Sequence, residues 1–420
     1  MGTSLNKITS GQFRSWLWSV LVILGLAVLA GCGSSNNPCG PGVGTSSGSS
    51  GGTSSGSASG GSNCGGGGGG GGGGTGGSGT SALLYYLGTS NNVQAAGFNS
   101  SGTFANLSPY TSPTLPSAAN SMAIVNGQFL YIPTGGFGNV QAYSIDRTGG
   151  ALTAISGSPF AAQAADDTVT TDPAGRFLFV GGRFSSSISV YAINAATGAL
   201  TPAPGSPFQS FNLVFANSLT VDSSGKFLYV GQTYSSYPVV GFSIDQTTGA
   251  LAEIPGSPFP LGVAVVRAAP NAAFLLGIAD DSGVSGNKHL YLFSINSSTG
   301  VPSLVAGSPT TTVSVPFALA IHPSGAFVYL SVADASGTIT SLEGYQLNTA
   351  SGTLTALPQS PFTTLPPLAE CQFEQTGGYA FCLNANGFSA LGVNTSTGNL
   401  SHLLPDLNAS GDFPFAVTDQ

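Results

Sequence analysis

Few side chains in this sequence could bind or transform a substrate. Only 6% of the 420 residues are charged, with 8 Lys and Arg against 16 Asp and Glu, and there are three histidines. Arg267 and Glu370 stand out, because the equivalent positions of a sequence repeat carry small or neutral side chains. An arginine can hold an anionic group, and a glutamate can act as a general base toward water. This pair is therefore the first candidate for chemistry.

Further candidates lie next to the strands that this repeat predicts. Besides Arg267 and Glu370, the predicted ligand-binding residues are Arg183, Asp166, Asp167 and Asn217. All six are expected near one mouth of a central channel. The alternatives are a salt bridge between Arg267 and Glu370, a water-filled channel lining, and solvated loop residues for the other four.

The three histidines do not complete a catalytic set. His322 takes the place that Asp172 and Asp222 hold in sibling repeats and is predicted to be a turn residue, while His289 and His402 lie on outer strands. No Ser-His-Asp set, metal cluster or cofactor loop can be assembled, so neither a metal nor a cofactor is predicted.

A repeat of about fifty residues must position these side chains. The glycine of a "TG" element recurs seven times, at Gly102, Gly150, Gly198, Gly249, Gly300, Gly352 and Gly398. Fifty residues suit four short antiparallel strands, which is one blade of a β-propeller. Apolar and β-branched segments separated by Gly, Pro, Asn, Asp and Ser support strands over helices.

The repeated phrase itself is predicted to be mechanical. An Asn or Asp precedes each of these glycines by three to five positions, and "SPF" or a variant follows. An Asx side chain bonds the backbone of its own turn, and glycine adopts a positive φ without steric cost. Calcium binding by the Asx residues is an alternative, but a further carboxylate at ligand spacing is missing.

The two ends of the repeat region predict how the ring closes. "FPFAVTDQ" at 413–420 matches an inner strand with no successor, and "ALLYYLG" at 82–88 matches a second strand with no predecessor. The two segments should pair in one composite blade. Residues 82–420 are therefore predicted to form an all-β, seven-bladed β-propeller with a composite closing blade.

Several blade sequences resemble a known family. "SGKFLYV", "PAGRFLFV" and "HPSGAFVYL", each followed by a "VYAI"- or "GFSI"-like strand and "TGAL", look like the lactonase-type seven-bladed propellers related to 6-phosphogluconolactonase. The resemblance implies a histidine, arginines and a glutamate around the channel mouth. This sequence departs from that pattern, since Arg183, Thr233 or Asp334 stands where the glutamate is expected.

The N-terminal segments predict where the protein works. Lys7 and Arg14 precede the apolar run "WLWSVLVILGLAVLAGC", and "LAGC" resembles a bacterial lipobox. Residues 1–31 are therefore predicted to be a lipoprotein signal peptide, with Cys32 the lipidated residue; an uncleaved anchor is the alternative. Residues 32–81 are rich in Gly, Ser and Thr and are predicted to be a disordered tether. Gly33 favours the outer membrane, and hence an extracytoplasmic location in the bacterial cell envelope.

The remaining cysteines predict one disulfide. Cys371 and Cys382 lie symmetrically about a turn at 376–377, so they should oppose each other on adjacent strands, in an oxidising compartment. A bulge in the turn would leave two free thiols instead. Cys39 and Cys64 could also pair.

Two classes of function fit these features, with a third possible. The first is a non-catalytic binding or scaffold module for glycans or surface proteins. The second is a lactone hydrolase in which Arg267 and Arg183 hold an anionic substrate and Glu370 is the base. A structural surface protein is the third. The net charge of −8 and the missing basic patch argue against nucleic acid as a partner, and a monomer is expected.

Overall fold

The computed structural model describes residues 80–419, with gaps at 89, 108–109, 137, 164–165, 183–185, 233–237, 280–287, 335 and 410. The described residues form seven antiparallel sheets, four of four strands and three of five. The predicted signal peptide and nearly all of the predicted tether lie outside them. Within the described part of the chain there is no helix, and so none long and apolar enough to cross a membrane.

Each sheet is one blade, with its strands ordered from the ring axis outward. The inner strands are β4 (Ala123–Val125), β9 (Asp166–Thr171), β14 (Ala216–Val221), β18 (Val265–Ala268), β23 (Val315–Ile321), β27 (Cys371–Phe373) and β31 (Gly411–Asp419). The second strands are β1 (Thr80–Gly88), β5 (Phe129–Thr134), β10 (Phe177–Gly182), β15 (Phe227–Gln232), β19 (Phe274–Ile278), β24 (Phe327–Ala333) and β28 (Tyr379–Asn384).

The outer half of each blade consists of a third strand and a fourth strand that is three or four residues long in six of the seven blades. The third strands are β2 (Val93–Asn99), β6 (Asn139–Ile145), β11 (Ser187–Ile193), β16 (Val240–Ile244), β20 (His289–Ile295), β25 (Ile339–Asn348) and β29 (Gly387–Val393). The fourth strands are β3 (Phe104–Asn106), β7 (Leu152–Ala154), β12 (Leu200–Pro202), β17 (Leu251–Glu253), β21 (Pro302–Leu304), β26 (Thr353–Ala356) and β30 (Leu400–Asn408). Two-residue strands β8 (Phe160–Ala161), β13 (Phe208–Gln209) and β22 (Thr310–Thr311) extend three of the blades.

The seven blades close into a ring as the sequence predicts. The inner strands neighbour one another in the order β4, β9, β14, β18, β23, β27, β31 and back to β4. We number the blades from blade 1, which contains β31 with β1 to β3, to blade 7, which contains β27 to β30. The chain is therefore a seven-bladed β-propeller with a composite closing blade.

The closing ladder differs from its prediction in one detail. Ala82 pairs with Asp419 and Tyr86 with Phe415, but the register then shifts, so that Leu87 pairs with Asp412. Residues 413 and 414 form a bulge. Pro414 has no backbone N–H to donate to a ladder, which explains why the irregularity falls there.

The repeated phrase joins strands and blades. The serine of the "SP" element accepts a hydrogen bond at Oγ from a third-strand N–H, at 2.9 to 3.1 Å, in five blades (Ser158, Ser206, Ser257, Ser308 and Ser360). A second-strand tyrosine donates its hydroxyl to the carbonyl of the turn glycine in the next blade, at 2.6 to 2.9 Å, in four cases (Tyr85, Tyr131, Tyr229 and Tyr329). The phrase is thus a structural connector.

Candidate functional site in the central channel

Arg267 lies on the inner strand of blade 5, and Glu370 lies next to the inner strand of blade 7. Arg267 pairs with Leu276 on the second strand of blade 5. Thr220 pairs with Tyr229 in the same way in blade 4, so Arg267 and Thr220 hold equivalent positions. Glu370 directly precedes β27, and its carbonyl accepts the N–H of Leu383 at 2.9 Å. In this register Glu370 lies two residues before the position that is equivalent to Arg267. It is therefore nearer, by about 7 Å along the strand, to the end of the ring where the inner strands begin.

Hydrogen bonds show which way side chains at these positions extend. Ser218 Oγ and Thr220 Oγ1, on β14, accept the N–H groups of Val266 and Ala268 on β18, at 3.0 and 2.9 Å. Gln372 Nε2 donates to the carbonyl of Phe415 in blade 1 at 2.7 Å. Side chains at these positions therefore reach from one inner strand to the next around the ring.

The two charged groups are enclosed by protein and influence each other. Both residues are half-buried. Burial raises the pKa of the Glu370 carboxyl, and the positive charge of Arg267 partly offsets that rise. Burial likewise lowers the pKa of the Arg267 guanidinium, an effect that Glu370 partly offsets.

The salt bridge that was one alternative for this pair is not formed. Among the described residues neither side chain takes part in an ion pair, and Arg267 Nη1 donates to its neighbour's carbonyl, Val266 O, at 3.0 Å. The Glu370 carboxylate accepts no hydrogen bond from the described part of the chain. The charges thus attract each other without contact, which leaves both able to meet a ligand.

The structure describes the other predicted site residues only in part. Asn217 is half-buried and lies in a bulge near the start of β14. Its neighbours Ala216 and Ser218 are both paired with β15. Asp166 and Asp167 begin β9, where Asp166 pairs with Gly182. Because the inner strands run in the same direction, these residues and Glu370 lie toward the same end of the ring. Arg183, Cys32, Cys39 and Cys64 lie outside the described residues.

None of the three histidines lies on an inner strand. His322 follows β23 in a turn, where Nδ1 bonds Ser324 Oγ at 2.7 Å and Nε2 bonds Gly377 O in the next blade at 2.9 Å. His402 Nε2 bonds Asp406 Oδ1 at 2.8 Å on β30, and His289 begins β20. In the described residues no three of His, Cys, Asp and Glu cluster to hold a metal ion.

Sequence reasoning missed one residue that shapes the channel end. Gln232 is fully buried at the end of β15; its Oε1 accepts the N–H groups of Val214 and Phe215, and its Nε2 donates to Asn212 O and Pro238 O. It fixes the loop that leads into β14 and Asn217. Blade 3 has Gly182 at the equivalent position, so this departure from the repeat was the available signal.

Cys371 and Cys382 form a disulfide in the structure. They are directly paired between β27 and β28, with their Cα atoms 4.1 Å apart. The bond lies one residue from Glu370 and fixes the start of that inner strand to its neighbour. This is the pairing, without a bulge, that the symmetric spacing predicts.

Comparisons with known proteins agree with the fold. The family model of the seven-bladed β-propeller lactonases matches residues 82–208 and 125–267. A candidate 6-phosphogluconolactonase of Bacteroides uniformis superposes with a TM-score of 0.64 at 17% identity, covering 80% of this chain and 99% of that one. The periplasmic gluconolactonase of Pseudomonas aeruginosa superposes with a TM-score of 0.61 at 16% identity, covering 80% of this chain and 98% of that one. No protein of curated function has a significant sequence match.

Blade architecture defines the fold, and the family model covers part of it. The chain is a seven-bladed β-propeller whose residues 82–267 match the model of the seven-bladed β-propeller lactonases. At 16 and 17% identity, the solved structures bear on its fold alone.

Proposed function

We propose that the channel of this protein binds a small, hydroxylated sugar derivative that carries a carbonyl or carboxylate group. The supporting observation is the separation of Arg267 and Glu370, which are enclosed on inner strands and attract each other without an ion pair. A guanidinium suits a carbonyl or carboxylate oxygen, and a carboxylate accepts hydrogen bonds from sugar hydroxyls. Asn217, toward the same end, adds amide groups of the kind that bind hydroxyls. In this proposal the protein is a binding module.

Lactone hydrolysis is the second candidate function, and the raised pKa of Glu370 favours it. A carboxylate whose pKa is raised is a stronger base, and it can accept the proton of an attacking water and return it to the leaving ring oxygen. Water would add to the lactone carbonyl, the ring C–O bond would break, and Arg267 would stabilise the oxyanion. Arg183 is a further candidate for holding an anionic substrate. The name of the structurally similar periplasmic gluconolactonase of Pseudomonas aeruginosa agrees with this second candidate function.

Binding and turnover can be measured on the same variants. We expect the purified protein to bind D-gluconate or D-glucono-1,5-lactone in calorimetry, and Arg267→Ala and Glu370→Gln to weaken binding about 10- to 100-fold, as expected for a lost hydrogen bond to a charged group. Arg176→Ala and Glu253→Gln are matched controls, because both residues lie outside the inner strands. Unchanged binding in both channel variants would contradict the proposal.

The turnover assay separates the two functions. Lactone opening above the buffer rate that falls at least a hundredfold in Glu370→Gln would establish hydrolysis. Binding without turnover would support the binding function and not the hydrolase function.

We also propose that the protein works in the cell envelope, held by lipid on Cys32. The "LAGC" sequence and the Gly- and Ser-rich segment after it support this proposal. Metabolic labelling with radioactive palmitate should label the protein, and Cys32→Ala should abolish the label. Cys39→Ala is the matched control, since it removes a neighbouring thiol outside the lipobox. Label that persists in Cys32→Ala would refute lipidation at this residue.

A further inference from the structure

A polar groove lies over the closing blade, built from residues other than the channel pair. It has a volume of about 310 Å³, and its lining includes Tyr86, Ser90, Asn92, Gln94 and Asn408. That volume is near the lower end of the range for small-molecule sites.

Two departures from the blade repeat create this groove. The bulge in β31 shifts the closing ladder beside Tyr86. Strand β30 has nine residues where the other fourth strands have three or four, and it carries Asn408 to the edge of blade 1. Asn91, in the turn between β1 and β2, has a φ of 58°, a conformation that non-glycine residues adopt rarely. Residues that break the repeat thus converge on one place.

The chemistry of the lining selects for a class of ligand. Every described lining residue is neutral, and burial raises the pKa of the Tyr86 phenol, so it stays protonated. Hydroxyl and amide groups provide both donors and acceptors. Oδ1 of Asn92 is buried and accepts no hydrogen bond from the described residues, which is costly without a partner. A charged ligand would find no counter-charge among these side chains, whereas sugar hydroxyls match them.

We propose that this groove is a second binding site and that it takes a neutral oligosaccharide. It opens on the end of the ring where Glu370 lies, because Gly88 in the lining pairs with Gly411, the first residue of inner strand β31, and Glu370 directly precedes inner strand β27. The site shares no residue with the channel and stands independently of the function proposed for it.

Ligand-observed NMR on the purified full chain tests the site. The probes are maltotetraose, cellotetraose, xylotetraose and tetra-N-acetylchitotetraose, of which at least one should bind. Asn92→Leu should weaken that binding at least tenfold. Asn399→Leu is the matched control, because Asn399 also has a buried Oδ1 without a partner among the described residues but lies at the opposite end of β30.

Three results would overturn the assignment. They are no binding of any of the four saccharides, equal losses in the two leucine variants, and displacement of the saccharide by excess gluconate. Should Asn92→Leu fail to fold, Asn408→Ala replaces it. Asn408 is exposed, and its truncation should also weaken binding at least threefold without changing the Tm.

Discussion

Among the described residues, two carboxyls have a pKa above the ordinary range, for different reasons. The pKa of Glu370 is raised by burial beside an inner strand, against the opposing effect of Arg267. The pKa of Asp419 is raised to about 6 by burial and by a hydrogen bond with the Glu374 carboxyl, whose own pKa is lowered. Asp419 Oδ1 also accepts a hydrogen bond from the Gln375 N–H at 2.7 Å. The backbone carbonyl of Asp419 accepts a hydrogen bond from Arg147 Nη2 at 3.4 Å. The carboxyls of Asp419 and Glu374 thus influence each other where blade 1 meets blade 7.

This pair predicts a pH dependence of stability. Because the folded pKa of Asp419 lies above its ordinary value, the stability it contributes is complete below that ordinary value and is lost as pH rises through about 6. Glu374 acts in the opposite sense, contributing stability that is lost as pH falls below its ordinary range. We expect the free energy of unfolding, measured by urea denaturation, to rise from pH 7 to pH 5.

Asp419→Asn should remove the part of that rise that comes from Asp419, because asparagine stays neutral throughout. Asp245→Asn is the matched control, since Asp245 lies in an exposed turn and its pKa is lowered by backbone hydrogen bonds. A pH profile that is the same in Asp419→Asn as in the parent would show that the pair does not control this dependence.

At the scale of the element, the repeated turns carry the contacts between blades. Gly300 ends the turn after β20 with a φ of 74°, and a Cβ there would overlap the ring of Phe227 in blade 4. Gly307, in the same blade, has a φ of 87°, but a Cβ there would meet nothing within 4 Å. The two glycines have similar φ values and differ in what surrounds them.

This pair separates backbone cost from packing cost. Gly307→Ala should lower the free energy of unfolding by about 1 to 2 kcal/mol, the cost of a left-handed conformation for a non-glycine residue. Gly300→Ala should cost about 1 to 3 kcal/mol more, because the methyl group must displace Phe227. Urea denaturation of both variants measures the difference, and equal losses would show that the turn does not pack against the neighbouring blade.

Sequence predicted the elements better than the site. The "TG" glycines and the Asx residues before them fall in every copy for local reasons, and the serines of "SP" fall in six of the seven, so their spacing alone predicted seven blades. Arg267 and Glu370 were found because they break that pattern. The state of the pair could not be predicted, because whether two side chains from inner strands two blades apart touch depends on the geometry of the whole ring. Asn92 and Asn408 were missed for a related reason, since only the closing bulge and the long β30 place them together.

At the scale of the molecule, closure joins the two ends of the repeat region. The inner strand of blade 1 is β31, and its ladder with β1 is what binds the last part of the described chain to the first. Val417 and Phe415 also pack into a cluster with Phe381 and Phe388 of blade 7. Closure therefore supports both the ring and the strand next to Glu370.

Removing the closing strand tests this dependence. Deletion of residues 413–420 should abolish a single cooperative thermal transition, because it exposes the inner edge of β1 and uncovers the aromatic cluster. Deletion of residues 65–72, eight glycines outside the described residues, is the control of equal length and should leave the Tm within about 2 °C. An unchanged transition after the first deletion would contradict a closing role for β31.

The composite blade also has a mechanical consequence. Strand β1 begins at Thr80, directly after the Gly- and Ser-rich segment, and lies between β31 and β2, with both of its neighbours antiparallel to it. A pull applied to the chain before Thr80 would act along β1, across ladders whose hydrogen bonds stand perpendicular to the strand. Such a load shears the two ladders, so that many hydrogen bonds resist it at once. A load that peeled the strand away would instead break the hydrogen bonds one after another. A force that reaches the propeller through its N-terminal side is thus carried by a strand that is paired on both edges.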